Sequence, residues 1–361
     1  MDGELRITVQ RGIEGLEKIR DIWADLYQQI SQPAYYQDWR WMYLLVKWLI
    51  KHPIYFAVLY KHDKAVLILP LQSSVVSHPG INQTVLCFPT HNHIVLSDAL
   101  VDDNKVEIED FHYFLEYVKK KSIEWNTLSL SNVCEDSEFY KLCRLSDFYI
   151  SPTSFNAYFH CPKGKLDESL SKKFIKNIKR LGRRAEKDIG SVEASFIHQP
   201  EDIDSAFSAF LELESSGWKG VNGTSTAIAH HEELVSFYSE LAKSFADDGS
   251  FQVNLLRIGG IPAAAQFCIR VRCVWYVLKV AYNDKMKSYG AGNLLMLSFL
   301  EYVSADPSVT EVNLVTSPDW ADRWHLNKRP VYTMQFFNGN IKGHLCEVYF
   351  NAKSKMKALM K

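Results

Sequence analysis

The sequence predicts an α/β fold with mixed sheets, arranged as two tandem units of similar layout. The chain has 361 residues, which is enough for two domains at about 150 residues each. Helical and strand patterns alternate along both halves, and consecutive strand patterns joined by short turns are typical of hairpins. Hydrophobic residues make up 47% and charged residues 23%, which excludes a disordered chain, a collagen and a coiled coil.

The first half begins with a strand pattern at 5–9 and a helical pattern at 13–30, whose apolar residues recur every three or four positions. A second helix is predicted at 39–50. The next elements are predicted in this order: a hairpin of strands 55–60 and 65–72, strands 84–88 and 94–96, helix Ile108–Lys121 and strand 127–131.

The second half repeats this order of helices and strands. The predicted elements are helix 166–187, strand Val192–Ile197, helices 203–213 and 229–245, a meander of strands Phe251–Ile258, 262–271 and Val274–Tyr282, and helix 293–303. A final hairpin of strands 332–337 and 341–350 is predicted because Asn338-Gly339-Asn340 separates them and Asn-Gly favours a tight turn. We expect one domain at 1–160 and a second at 161–361.

Composition narrows the function classes. Lys and Arg total 41 against 42 Asp and Glu, so no global field attracts nucleic acid, and no nucleic-acid partner is predicted. None of the seven cysteines forms a CxxC pair, which favours a reduced, cytoplasmic protein. The N-terminus has no signal pattern, and the longest apolar runs fall short of the ~20 residues that span a bilayer, so no membrane span is expected.

The most specific local feature is the turn Lys287-Ser288-Tyr289-Gly290-Ala291-Gly292-Asn293, which follows a strand and opens a helix. Small residues there leave backbone N–H groups accessible, and the start of a helix carries partial positive charge. The turn therefore suits a pyrophosphate. A plain strand-to-helix turn that uses glycine for its geometry is the alternative interpretation.

The order of elements around this turn resembles the core of the GNAT (acyl-CoA N-acyltransferase) superfamily. A three-strand meander precedes a basic-x-x-Gly-x-Gly turn, and a helix and a strand follow it. The resemblance implies acyl-CoA (acetyl-CoA or longer) as co-substrate. It also implies that the backbone of the turn holds the pyrophosphate, through Ser288, Tyr289, Gly290, Ala291, Gly292 and Asn293.

Flanking segments narrow the resemblance to the CelD-like branch, which is related to the FemAB aminoacyltransferases and built from two GNAT-like units. They are a basic helix at 172–187, Gly-Trp-Lys-Gly at 217–220, Ala-Ala-Gln at 264–266, Lys279 and Asp322-Arg323-Trp324. Because the first half has no glycine turn of this kind, a cofactor site is expected only in the second unit.

Four residues are candidates for the chemistry. Lys279 lies in an apolar strand, where alternation would place it on one face with Trp275, Val277 and Ala281, either facing substrate or extending to solvent. Gln266 is an amide in an apolar run, and it serves either sheet structure or substrate orientation. Asp322 and His325 are candidate proton acceptors, or simple surface side chains.

The remaining candidates concern the acceptor and a metal. The predicted substrate-binding residues are Trp218, His91, His93, Asp98, Arg323 and Trp324. The histidine pairs, 91 with 93 and 230 with 231, lack the further ligands of a zinc site, so no metal is predicted. The basic helix 172–187 is either a solvated face or a surface that attracts phosphates.

The function predicted from the sequence is an acyl-CoA-dependent N-acyltransferase. Its acceptor would be an amine on a small molecule or amino sugar, in surface polysaccharide or lipid biosynthesis. Two alternatives stay open: a FemAB-type transferase that uses aminoacyl-tRNA, and a non-catalytic binding protein of the same fold. The sequence does not define the oligomeric state.

Overall fold

A computed structural model of the chain describes residues 5–78, 81–121, 124–161, 170–217, 220 and 224–359. They form two compact units. The first contains the described residues of Met1–Ser154 and Arg329–Lys361, and the second contains those of Phe155–Lys328. This division starts the second unit six residues before the predicted boundary and places 329–361 in the first unit. The assignment of each unit as a GNAT-like domain stays a prediction.

The elements are numbered in chain order. The strands are β1 Leu5–Arg11, β2 Ile54–Lys61, β3 Lys64–His78, β4 Ile81–Cys87, β5 Leu100–Val101, β6 Thr127–Cys134, β7 Tyr149–His160, β8 Val192–Ile197, β9 Phe251–Ile258, β10 Ile261–Val271, β11 Val274–Tyr282, β12 Glu311–Asn313 and β13 Asn327–Phe337. The α-helices are α1 Gly12–Lys18, α2 Arg20–Gln29, α3 Trp39–Leu44, α4 Ile108–Lys121, α5 Glu138–Arg144, α6 Lys172–Asp188, α7 Ile203–Ser216, α8 Glu232–Ala246, α9 Ala291–Ser304 and α10 Ile341–Leu359.

In the first unit, the sheet order is β1-β2-β3-β4-β6-β13. The predicted hairpin is present as β2 and β3, and β4 pairs with β6 in parallel. The predicted helix 13–30 is two helices, because the backbone departs from helical geometry at Ile19. The helix predicted at 39–50 is α3 continued by a π-helical turn, and the strand predicted at 94–96 is irregular.

The predicted final hairpin is wrong, because α10 follows β13 where a second strand was expected. Asn340 Oδ1 accepts a hydrogen bond from Gly343 N at 2.7 Å, so the Asn-Gly-Asn segment leads into a helix instead of a hairpin. The apolar residues Ile341, Leu345 and Val348 are spaced by four and three, which is the helical period.

In the second unit, the sheet order is the end of β7, then β12-β11-β10-β9-β8. β11 and β12 are parallel, and the other pairs are antiparallel. Gln266 and Phe267 are neighbours on β10 and mark the two faces. Gln266 contacts Met296 of α9, and Phe267 packs against aromatic rings of α7 and α8. Helices therefore cover both faces, with α9 and α6 opposite α7 and α8.

None of the described helices combines the length and the apolar character that crossing a membrane requires.

Candidate functional site

A cavity of about 340 Å³ opens in the second unit at the start of α9. Its walls come from β10, β11, the turn before α9, α9 itself and the segment after β12. The lining residues are Ala264, Ala265, Gln266, Val280, Ala281, Tyr282, Lys287, Gly290, Ala291, Gly292, Asn293, Leu295, Met296, Trp320 and Arg323. Most of this surface is apolar, with a few polar groups along it, which is the usual composition of a small-molecule site.

One wall of the cavity is the free edge of β11. β12 pairs with β11 only at residues 274–276, and no other described strand pairs with residues 277–282 on that side. On its other side β11 pairs with β10 along its whole length except at Leu278. Backbone groups on the free edge are thus open to an extended ligand, which can add to a sheet as a further strand does.

The glycine turn forms the end of the cavity. Gly290 has a φ of +67°, in the left-handed region that favours glycine, and a Cβ there would lie 3.2 Å from Leu181 Cδ1. Ala291 and Gly292 are the first two residues of α9, so their amides have no acceptor within the helix. A Cβ on Gly292 would meet nothing within 4 Å, which leaves open space beside these amides.

Only part of the segment predicted to bind the pyrophosphate lies at the cavity. Residues 290–293 line the cavity, but Ser288 and Tyr289 do not. The Tyr289 hydroxyl lies 3.3 Å from Asp188 Oδ2, and the Arg184 guanidinium lies over the Tyr289 ring. Tyr289 therefore contacts α6 instead of the cavity.

The segment Asp319–Trp324 contributes Trp320 and Arg323 to the cavity. Trp324, predicted to bind substrate, is instead fully buried, with its ring packed edge-on against Phe159 and Phe174. Its Nε1 donates to Asn293 Oδ1 at 3.2 Å. Trp324 thus anchors this segment to the start of α9.

Gln266 is the one predicted chemical residue that lines the cavity. It is only 2% exposed, and its Oε1 accepts a hydrogen bond from Asn254 Nδ2 at 2.8 Å. Its Nε2 lies 3.8 Å from Met296 Sδ, a weak acceptor. Asn254 in turn accepts from Gln252 Nε2, so a buried amide chain fixes the orientation of Gln266.

Lys279 lies on a different face from the one that simple alternation predicts. The register pairs Phe267 with Lys279 but Cys268 with Val277, so β11 carries one extra residue between 277 and 279. This β-bulge turns Lys279 away from the face of Val277. The Lys279 ammonium lies 5.7 Å from the ring centre of Tyr238 on α8, and Lys279 does not line the cavity.

Asp322 and His325 also lie outside the cavity lining. Both are exposed, and Asp322 Oδ1 is 2.6 Å from Lys328 Nζ. His325 ends the 3-10 segment in a left-handed conformation, with a φ of +59°. Their roles as proton acceptors stay predictions.

Three predicted substrate residues lie in the first unit. His91 and His93 are partly buried with ring centres 5.5 Å apart, and His91 Nδ1 accepts from the His93 amide. Burial raises the pKa of Asp98 to about 7, although the Ala99 amide donates to its Oδ1 at 2.9 Å. Trp218 lies outside the described residues.

Among the described residues, no three His, Cys, Asp or Glu side chains lie close enough together to hold a metal ion.

Sequence reasoning missed part of the cavity wall. Lys287 lines it although its side chain was assigned no role, whereas Arg323, which was predicted to bind substrate, does line it. Neither cation forms an ion pair with a described residue. Lys287 was noted as part of the motif, but only the backbone of the turn was assigned to the ligand. The alternation of Gln252 and Asn254 in the apolar strand β9 was a signal for the buried amide chain.

Part of the second unit is similar to a known protein family. Residues 172–324 match the family model of the acetyltransferase (GNAT) domain, and this stretch includes the lining residues of the cavity. No curated protein matches the chain.

Solved structures show the same fold over nearly the whole chain. FemX is 10% identical with a TM-score of 0.60, covering 91% of this chain and 98% of its own. L-PGS of Bacillus licheniformis is 10% identical with a TM-score of 0.55, covering 91% and 95%. A C-terminal domain assigned to a lysylphosphatidylglycerol synthetase of Agrobacterium fabrum is 10% identical with a TM-score of 0.55, covering 92% and 96%. The predicted resemblance to the GNAT superfamily is thereby confirmed for residues 172–324, and the chain shares the fold of FemX.

Proposed function

We propose that this protein transfers an acyl group from acyl-CoA to an amine. One observation carries the proposal: the cavity joins the free amides that begin α9 to the free edge of β11. The first group suits a pyrophosphate, and the second suits the extended, amide-containing arm of coenzyme A. The match of residues 172–324 to the acetyltransferase family supports the same assignment.

In this proposal the pyrophosphate lies against the amides of Ala291 and Gly292. The macrodipole of α9 favours negative charge there, and Lys287 and Arg323 add two cations along the cavity wall. Ala264, Ala265 and Leu295 supply apolar surface for the arm and the acyl chain. Because the turn belongs to the second unit, one coenzyme binds per chain.

The reaction is a direct attack on the thioester. The lone pair of a neutral amine forms the C–N bond, the C–S bond breaks, and the proton lost by nitrogen ends on the thiolate sulfur. In this proposal Gln266 orients the reactants, and its contact with Asn254 and its position in the cavity lining support that role. The thiol of Cys268 takes no part, because burial raises its pKa well above the usual value.

The acceptor in this proposal is the amine of a small molecule or amino sugar, used in surface polysaccharide or lipid biosynthesis. The reaction belongs to the cytoplasm, where free thiols persist, and the seven cysteines here are free thiols.

Aminoacyl transfer is the second candidate function. The candidate is supported by the fold that this chain shares with FemX and with a C-terminal domain assigned to a lysylphosphatidylglycerol synthetase. A FemAB-type reaction takes its donor from aminoacyl-tRNA, and the exposed cations of α6 would favour RNA. The chain's formal charge of -1 disfavours a large polyanion as the donor.

Calorimetric titration with coenzyme A tests the proposal. The wild-type chain should bind one coenzyme, and Gly292→Val should weaken binding at least tenfold because its side chain fills the space beside the amides. Gly339→Val is the matched control, since a Cβ there also meets nothing within 4 Å but lies in the first unit. Equal affinity of folded Gly292→Val and wild type would reject the site, and binding of aminoacyl-tRNA alone would favour the second candidate.

A further inference from the structure

The helix α6 carries a continuous basic stripe on its exposed face. At 3.6 residues per turn its eight cationic side chains fall within about 140° of the helix circumference, and they extend over about 22 Å of its axis. All eight are exposed: Lys172, Lys173, Lys176, Lys179, Arg180, Arg183, Arg184 and Lys187.

Little of this charge is neutralised within the protein. Lys179 pairs with Glu301 at 2.9 Å, and Arg184 pairs with Asp188 at 3.3 Å. The other six cations of the stripe form no ion pair with a described residue. The opposite face of α6 buries Ile178, Gly182 and Ala185, so the helix is held firmly while its cations face solvent.

One edge of the stripe reaches the turn that begins α9. The Arg184 guanidinium, at that edge, lies over the ring of Tyr289 in the turn. Leu181, which lies outside the stripe on the same helix, would be 3.2 Å from a Cβ on Gly290. A molecule that covers the stripe therefore lies next to the turn that forms the end of the cavity.

The charge of the stripe exceeds what a coenzyme needs. The phosphates of coenzyme A carry about four negative charges in all. Lys287, Arg323 and the amides of α9 already face the cavity where the pyrophosphate is proposed. Lys172 lies about 13 Å along the helix from Leu181, so the stripe reaches well beyond the turn.

We propose that α6 docks an acidic carrier protein, which presents the acyl group on its own phosphopantetheine arm. This inference rests on the proposed function, because the thioester of the carrier takes the place of acyl-CoA as donor in the same cavity. The arm enters along β11, while carboxylates of the carrier pair with the stripe. The bond changes are unchanged: C–N forms, C–S breaks, and the proton from nitrogen ends on the thiol of the carrier.

A protein fits the stripe better than RNA or a lipid surface does. Glu186 and Asp188 lie on the same helix and Glu301 pairs with Lys179, so a uniform polyanion would meet carboxylates as well as cations. A protein carries separate carboxylates, which can pair with the cations of the stripe without lying against Glu186, Asp188 or Glu301. The exposed stripe has no aromatic or apolar side chain for stacking on bases or inserting into lipid.

The test measures binding of an acidic acyl carrier protein in its apo form, which lacks the arm. Lys172→Glu, Lys176→Glu and Arg183→Glu are combined in one variant. The wild-type chain should bind the carrier in a salt-dependent way, and the variant at least tenfold more weakly. A matched variant reverses the exposed lysines Lys18, Lys51 and Lys64 of the first unit and should bind as the wild type does.

Transfer RNA and anionic vesicles are titrated in parallel. The inference is overturned if the carrier does not bind, if the stripe variant binds it unchanged, or if only RNA or vesicles depend on the stripe. Coenzyme A titration separates this inference from the proposed function. If the wild-type chain binds coenzyme A but not the carrier, only the carrier inference is rejected. If the wild-type chain does not bind coenzyme A, the proposed donor site is rejected.

Discussion

The indole N–H of Trp324 donates to the side-chain oxygen of Asn293 at 3.2 Å, and this bond joins a buried core residue to the first turn of α9. Trp324 has no exposed surface, whereas Asn293 lines the cavity. The hydrophobic core of the second unit therefore positions the amides that are proposed to bind the donor.

Asn293→Ala should loosen this link. We expect a loss of about 1 kcal/mol in the free energy of unfolding, since the buried indole loses its acceptor, together with weaker coenzyme binding. Urea denaturation and calorimetry measure the two effects. Asn283→Ala is a control, because its side-chain oxygen accepts from the Lys285 amide outside α9. Unchanged stability and affinity in Asn293→Ala would show that the bond positions nothing.

Gln266→Leu should lower stability by about 1–3 kcal/mol, because the buried Asn254 Nδ2 loses its oxygen acceptor and keeps only Cys268 Sγ, a weak acceptor, at 3.5 Å. The double variant Asn254→Leu/Gln266→Leu removes both partners. It should lose less stability than the sum of the single variants, by about 0.5–3 kcal/mol. Activity should stay low in both Gln266 variants if this amide orients the reactants. Full activity in a folded Gln266→Leu enzyme would exclude that role.

Lys287→Met and Lys279→Met compare a lysine that lines the cavity with one that contacts α8 on the other face of the sheet. Lys287 lines the cavity, so its loss should weaken coenzyme binding about tenfold, which corresponds to about 1.4 kcal/mol. Lys279 contacts Tyr238 on α8, and its loss should leave coenzyme affinity unchanged. Turnover then decides the predicted catalytic role of Lys279: a strong decrease at unchanged affinity supports it, and wild-type turnover contradicts it.

Asp98 should make stability depend on pH. Its pKa is raised to about 7 by burial, so between about pH 4 and pH 7 the folded state holds a proton that the unfolded state has lost. The free energy of unfolding should therefore fall as the pH rises through this window, by at most about 1.4 kcal/mol per pH unit from this group. Asp98→Asn should flatten the fall, and the exposed Asp25→Asn should not. Parallel pH profiles of wild type and Asp98→Asn would contradict the assignment.

Local sequence predicted the part of the site that local geometry builds. The turn at Gly290 and Gly292 was predictable because a left-handed residue and a helix start need only neighbouring residues. The face of Lys279 was not, because it depends on an extra residue in the pairing of β11 with β10. The same limit applies to Asn338-Gly339, which favours a hairpin until the helical spacing of the following apolar residues is considered.

The burial of core residues was easier to predict from the sequence than the burial of residues in the segment 319–324. Residues of α9 such as Leu295 and Phe299 follow the helical apolar pattern and are fully buried. The sequence pattern could not show which of Asp322 and Trp324 is exposed and which is buried. They are two positions apart in one short segment, yet one is exposed beside Lys328 and the other is buried against Phe159.

The free edge of β11 also affects the solubility of the protein. An open strand edge is a template for pairing with another chain, and thus for aggregation. Because β12 covers only residues 274–276, the remaining edge lacks a strand partner within the described sheet. A ligand lying along that edge would occupy the same hydrogen-bonding groups. Storage with the donor should accordingly keep concentrated protein monodisperse for longer than storage without it.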